Sequence, residues 1–160
     1  MITVVLPTRN SAARLVQVLT VLVPAAVDGL VKDVVFADAG STDSTLAIAE
    51  DSGARVVQAT GDVGARLAVG CAAAKGAWIL ALGEDLALPE TWRVPVEAHL
   101  AGGGKSAWIA EAGLFGLAGR PLAVLASCDT INAAGGFKPG ENPLKALLGR
   151  LKPKAVRLQV

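Results

Sequence analysis

Four short segments carry the residue types that could do chemistry: residues 6–10 (LPTRN), 38–43 (DAGSTD), 82–89 (LGEDLALP) and 133–142 (AAGGFKPGEN). The second is the most telling. The apolar run VVFA stops at Asp38, turns through Gly40 and restarts in Ser41, Thr42 and Asp43. A buried strand that ends in an acid and hands over to a helix is how open α/β sheets build ligand sites. The strand fixes the carboxylate, while the turn and the helix N-terminus supply donors beside it. A plainer reading stands next to this one. Asp38 can cap its own turn through an Asx motif, and Asp43 suits a helix first turn, where the dipole favours an acid. Taken alone, Glu84 and Asp85 read equally well as an exposed loop pair, and Arg9 as a solvated charge.

Alternating elements must position these residues. Residues 2–6 are a continuous β-branched and apolar run that ends at Pro7. Asn10 is a good N-cap for a helix that puts Leu15, Val18, Leu19 and Leu22 on one face and ends at Pro24. Residues 33–37 form a second strand, followed by a helix over about 42–52 with Gly53 as its C′ residue. A third strand at 55–58, a helix at 63–75 closed by Gly76, and a fourth strand at 78–82 complete the alternation. Such β-α-β repeats with short connections imply a parallel sheet with right-handed crossovers. Beyond the loop at 83–89 the pattern predicts a helix at 90–100 and strand-like pieces near 108–109 and 114–117. It also predicts short helices at 120–126 and 130–134, a turn at 135–137, a helix at 142–150 and a last strand at 155–158.

Composition bounds the class. A chain of 160 residues is expected to form one domain with a real core. The apolar share, 52%, is mostly Ala, Val and Leu, with no Tyr, which suits helices packed closely on a parallel sheet. The net charge of +1 gives a nucleic-acid partner no electrostatic support. Cys71 and Cys128 lack metal-ligand spacing and read as reduced thiols. A strand that begins right after Met1 leaves no targeting segment, and the greasy run 15–27 falls short of a bilayer span of ~20 residues. A cytoplasmic protein is expected. The basic tail of Lys145, Arg150, Lys152 and Lys154 is either a solvated face or a contact with anionic lipid. His99 reads as a surface residue, and Trp78, Trp92 and Trp108 as packing residues.

In their order the four segments resemble glycosyltransferase family 2, over about residues 2–151. VVLPTRN is similar to that family's opening strand and loop, and VVFADAGSTDST to its second strand and nucleotide-binding turn. GAWILALGEDLALPETW stands where the family carries its metal-binding Asp-x-Asp segment, and AAGGF with the polar pair after it is similar to the acceptor-side segment. The resemblance implies a GT-A fold: a three-layer α/β/α domain over 1–160 with a mostly parallel sheet. It divides the chain into a nucleotide-binding half at 1–89 and an acceptor-side half at 90–160. It implies transfer of a sugar from a nucleotide-diphospho-sugar donor to an acceptor hydroxyl, with Mg²⁺ or Mn²⁺ at the leaving diphosphate.

The resemblance also assigns residues. Pro7, Thr8, Arg9, Asp38, Gly40, Arg66 and Glu84 fall to the nucleotide, Asp85 to the metal, and Glu141 to the catalytic base. The helix with Arg66-Leu67-Ala68 departs from the family pattern, and two of the family's acids are absent. Gly83 stands where the first acid of the metal segment is expected, and Asn142 where the acceptor-side Asp is expected. These departures support a second expectation, a glycosyltransferase-like nucleotide-binding or regulatory module without turnover. Under either expectation a membrane surface or a partner protein is a further expected contact, one that completes the acceptor site. A nucleotidyltransferase or a dinucleotide oxidoreductase would open with a Gly-rich phosphate loop after the first strand, and Pro7-Thr8-Arg9-Asn10 is not one.

Overall fold

A computed structural model describes residues 1–113 and 117–160 of the chain. These residues form a seven-stranded sheet in the order β3-β2-β1-β4-β6-β5-β7. The strands are β1 (Ile2–Thr8), β2 (Val31–Asp38), β3 (Arg55–Gln58), β4 (Trp78–Leu82), β5 (Ser106–Ala112), β6 (Ala118–Ser127) and β7 (Val156–Leu158). The first four run parallel, as the β-α-β alternation requires. β6 enters antiparallel to β4, β5 lies antiparallel to β6, and β7 runs parallel to β5.

Side chains alternate across the sheet, so each strand feeds two cores. Val4, Leu6, Leu80 and Leu82 point to one face, where they meet Leu15, Val18 and Leu22 of α1 (Ala12–Val27) and Val96 of α4 (Arg93–Ala101). Val5, Ile79, Ala81 and Val124 point to the other face. There they meet Leu67 of α3 (Val63–Ala72), Ile131 of α5 (Cys128–Ala133) and Leu147 of α6 (Pro143–Leu148). Burial on both faces explains why the strands read as continuous apolar runs. The architecture is α/β with three layers and a mostly parallel sheet.

Several sequence expectations are corrected. The helix that follows β1 does not end at Pro24, which lies inside α1. Its buried stripe runs on to Ala25, and that packing holds the last turn in spite of the missing donor. Asn10 does not cap α1. Ser11 precedes the helix, and Asn10, with φ 47°, turns its side chain to the next loop. α2 spans Thr45–Ser52 and so begins later than residue 42, because residues 42–44 are held in the loop by Asn10 and Asp43. α3 stops at Ala72, three residues short of the expected end.

The largest miss is 120–126, expected as a helix and found as the core of β6. Its alanines favour a helix locally, but Ala123, Val124, Leu125 and Ala126 are fully buried between β4 and β5. Pairing on both sides outweighs propensity. Of the strand-like piece at 114–117, residues Leu114, Phe115 and Gly116 lie outside the described residues. His99 is partly buried rather than a surface residue, with its ring against Gly104. Trp92 is buried, as expected, and its indole N–H donates to the Val21 carbonyl at 3.3 Å.

Candidate functional site

The site lies at the C-terminal edge of the parallel strands, where the loops after β1, β2 and β4 meet. Thr8 and Asp38 are register partners at the last rungs of β1 and β2. Pro7 falls beyond Val5, the last residue of β1 paired with β4, so no rung to β4 is lost there. Asp38 is 0% exposed. Its Oδ1 accepts from the Thr8 hydroxyl at 2.8 Å and the Ser41 hydroxyl at 2.5 Å, and its Oδ2 from the Ser41 N–H at 2.8 Å. The carboxylate therefore fixes the turn after β2. Gly40, at φ 75°, supplies the left-handed backbone on which that turn depends.

The first two loops are interlocked by side-chain bonds. The Asn10 N–H donates to the Ser41 hydroxyl at 2.8 Å, and the Asn10 carbonyl oxygen accepts from the Thr42 N–H at 2.8 Å. The Ser11 N–H donates to the Thr45 hydroxyl at 2.8 Å, and the Ala12 N–H to Asp43 at 3.1 Å. Asp43 also accepts from the Thr45 N–H at 2.9 Å. The Thr45 hydroxyl, followed by the N–H groups of Thr45 and Ala12, holds the Asp43 carboxyl below the usual carboxylate range. Arg9 stands exposed at the rim of this double loop.

Two clefts flank the start of α3. One, of about 500 Å³, lies over the ends of β2 and β3, lined by Ala39, Gly40, Gln58, Thr60 and Ala65. The other, of about 200 Å³, is lined by Gly83, Glu84, Asp85, Glu141, Asn142 and Lys145, among others. The candidate metal acid and the candidate base, 56 positions apart in the chain, thus line one space. Arg66 of α3 reaches toward this second cleft, and its Nη2 donates to Glu84 Oε1 at 3.2 Å. The guanidinium is 5% exposed and its partner 61% exposed, so the cation is built into the wall while the acid is loosely held. Water competes for the Glu84 end of the pair, which weakens it.

Asp85 is engaged by Arg120 of β6, which also binds Glu111 at 3.0 Å. Among the described residues no three His, Cys, Asp or Glu side chains gather as a metal cage. The donor set suits a divalent cation that takes one or two carboxylates and fills its shell with phosphate oxygens and water, as Mg²⁺ does. It does not suit an ion held by protein alone. The backbone makes a sharp turn here: the Leu86 N–H donates to the Gly83 carbonyl at 3.0 Å, and Leu86 sits at φ 50° with its side chain buried. A bulky residue in that region is strained.

Sequence reasoning missed Asp62 and Arg120, and placed Lys145 only in the basic tail and not at this cleft. Asp62 caps α3 by accepting from the Ala65 N–H at 2.9 Å, and it also accepts from the Gly140 N–H at 2.8 Å. It thereby ties the helix to the loop that carries Glu141. Those N–H groups, Ala65 first, hold its carboxyl below the usual range, and Arg66 adds to the effect. An acid immediately before an apolar helical pattern was the available signal. Gly64 makes the same joint tight, since a Cβ there would stand 2.0 Å from the Lys138 carbonyl oxygen.

The profile described as Glycosyl transferase family 2 matches residues 3–110, more than half of the chain. The chain belongs to glycosyl transferase family 2. No curated protein matches its sequence. Among solved structures, it is similar to glucosyl-3-phosphoglycerate synthase from Mycobacterium tuberculosis. The similarity is 25% identity with a TM-score of 0.70, over 100% of this chain and 71% of that one. The same synthase in complex with Mn²⁺, uridine diphosphate and glucosyl-3-phosphoglycerate superposes with a TM-score of 0.68 at 23% identity. That match covers 98% of this chain and 68% of the synthase. The likeness is one of fold, and it makes this a GT-A sheet. The family 2 match ends within β5, so Arg120, Glu141 and Asn142 lie outside it. The family signature thus covers the loops after β1, β2 and β4, and the segment with Glu141 and Asn142 is described by its geometry alone. Among the described residues no helix is long and apolar enough to cross a membrane.

Proposed function

We propose that this chain transfers a sugar from a nucleotide-diphospho-sugar to an acceptor hydroxyl. The observation that carries the reading is the single cleft lined by Asp85 of the metal segment and Glu141 of the acceptor-side loop. In this reading the half at 1–89 takes the donor and the half at 90–160 the acceptor. The nucleoside occupies the cleft beside Gly40, with the backbone at the end of β1, Pro7 and Thr8, and Arg9 after it as a neighbouring wall. Asp38 serves as a positioning residue that holds Ser41 and the turn. Arg66 exchanges its exposed partner Glu84 for the diphosphate. Asp85 would be the protein ligand of Mg²⁺ or Mn²⁺, an ion that offsets the charge of the departing diphosphate. The Glu141 carboxylate takes the acceptor proton as the acceptor oxygen bonds to the anomeric carbon and the nucleoside diphosphate leaves. Such a base contributes ~10²–10⁴-fold. With two free cysteines and a basic tail, the protein is read as cytoplasmic, with contact at a membrane surface.

Calorimetry with UDP- and GDP-sugars, with and without Mn²⁺, tests the reading. Expected is binding that needs the metal and is lost in Asp85→Asn. No binding of any nucleotide, or binding indifferent to Mn²⁺, would overturn it.

A second reading, a nucleotide-binding module without turnover, is favoured by Gly83 and Asn142 and by the hold of Arg120 on Asp85. A side chain at position 83 can begin without a clash. A Cβ at Gly83 meets Leu144 Cδ1 at 3.4 Å and backbone oxygens at 3.6 Å and beyond. Gain of sugar transfer or donor hydrolysis in Gly83→Asp/Asn142→Asp, from an inert parent, supports this reading. Turnover by the unmodified chain refutes it.

A further inference from the structure

We propose that the solvent face of α1 is the interface of a homodimer, in which two copies of the helix pack antiparallel across a two-fold axis near Thr20. The face lines neither cleft of the candidate site, and the pairing holds whether or not a sugar is transferred.

α1 covers the sheet with Leu15, Val18, Leu22 and Ala25. A helix that covers one face of a sheet normally turns charged and polar residues to water. α1 does not, for residues 15–27 contain no charge. At about 100° per residue, Ala13, Val16, Thr20, Val23 and Val27 fall on the side opposite the buried stripe. Val16 is 58%, Val23 51% and Val27 81% exposed. The Thr20 hydroxyl donates to the Gln17 carbonyl at 2.6 Å, so it needs no outside partner. Branching at Cβ also lowers helix propensity. Three valines on the water side therefore weaken the helix with no return unless something covers them.

The charges at the two ends of the stripe select the occupant. Arg14 marks its N-terminal end and Asp28 its C-terminal end, and helical spacing puts both on the same flank. An antiparallel two-fold sets the first turn of one helix against the last turn of the other and keeps that flank. Arg14 of one copy then meets Asp28 of the other, twice in each dimer. A parallel pair would put these charges on opposite flanks. Asp28 binds Arg93 through Oδ2, and its side chain stays 53% exposed, so Oδ1 can take a second cation. Arg14 makes one long bond, from Nη1 to the Glu84 carbonyl at 3.4 Å. A helix of 16 residues is ~24 Å long. One helix pair covers less than the ~800 Å² per partner of a standard interface, so the dimer is weak and reversible. A lipid surface fits the face less well. Interfacial helices carry several Lys or Arg, with Trp, Phe or Leu on the buried side. Here the exposed apolar residues are mainly valines, and α6, with Lys145, packs on the other face of the sheet.

The test is sedimentation velocity of the whole chain over a dilution series. A reversible monomer–dimer equilibrium is expected. Val16→Glu/Val23→Glu should leave the chain monomeric at every concentration, with its far-UV circular dichroism unchanged. The end charges give a second measurement that leaves the stripe intact. Arg14→Glu and Asp28→Lys should each weaken self-association about fivefold or more, since like charges then meet at both ends. An equimolar mixture of these two variants should regain the parent's association, because each end again joins opposite charges. That recovery is specific to α1 packing antiparallel on itself. A parent that stays monomeric up to millimolar concentration overturns the proposal. So does a dimer that survives Val16→Glu/Val23→Glu, or a mixture that associates no better than either variant alone. Vesicles of phosphatidylcholine and phosphatidylglycerol serve as the lipid control. A monomeric chain that binds them, and loses that binding in Val16→Glu/Val23→Glu, assigns the face to a membrane and overturns the dimer.

Discussion

The guanidinium of Arg120, on β6, bonds the carboxylate of Asp85, in the loop after β4. The acid read as the metal ligand is thus already paired, with side chains 57% and 40% exposed. A pair this exposed contributes ~0.2–1 kcal/mol, so a divalent cation competes with it at modest cost. Arg120→Gln is expected to lower the Mn²⁺ concentration needed for half-maximal UDP binding by about two- to fivefold. Asp85→Asn should abolish the Mn²⁺-dependent binding of UDP. Both are read by calorimetry at fixed UDP, and an unchanged Mn²⁺ midpoint in Arg120→Gln would show that the arginine does not compete.

Two acids staple the site loops, and both are held below their ordinary value of 3.8. A carboxyl with a lower pKa in the folded chain stabilises it fully above the unfolded value. That contribution fades as pH falls through the folded value. Asp43→Asn/Asp62→Asn should therefore melt a few degrees below the parent at pH 7. The gap should close as the pH is taken well below 3.8. A gap that stays constant down to pH 2 would assign the loss to something other than the charged carboxylates.

Gly64→Ala drives a methyl into the Lys138 carbonyl. The first turn of α3 or the segment at 138–139 must shift, at an expected cost of about 1–3 kcal/mol. Urea unfolding should show a lower midpoint with an unchanged slope. A midpoint equal to the parent's would mean that the joint between α3 and the Glu141 loop yields freely.

Burial, with a smaller contribution from the Cys128 thiol, pushes the Cys71 thiol up to about 12. At pH 8 only about one part in ten thousand is thiolate, so Cys71 should resist iodoacetamide in the folded protein and react on unfolding. Mass spectrometry of the alkylated chain reads this directly. Rapid labelling of Cys71 under native conditions would contradict it.

The sequence by itself determined the parallel half of the fold. The apolar runs at β1, β2, β3 and β4 and the helical patterns between them have one arrangement that buries both strand faces, so the corner at Asp38 follows from local patterning. The motif at 38–43 was legible as a built turn for the same reason: its turn chemistry is written within six consecutive residues. Tertiary structure decided the rest. Residues 120–126 are locally helix-like, and only pairing with β4 and β5 makes them a strand and brings Arg120 onto Asp85. Whether Asp38 faces a ligand or holds its own turn depended on Thr8, which lies thirty positions earlier in the chain. The clefts joining Asp85 to Glu141, and Lys145 to Trp108, come from long-range packing of β4, β5, β6 and α6. Local propensity fixes short-range geometry, but contacts between distant segments are chosen by which buried surfaces fit, and that choice is made only when the whole sheet assembles.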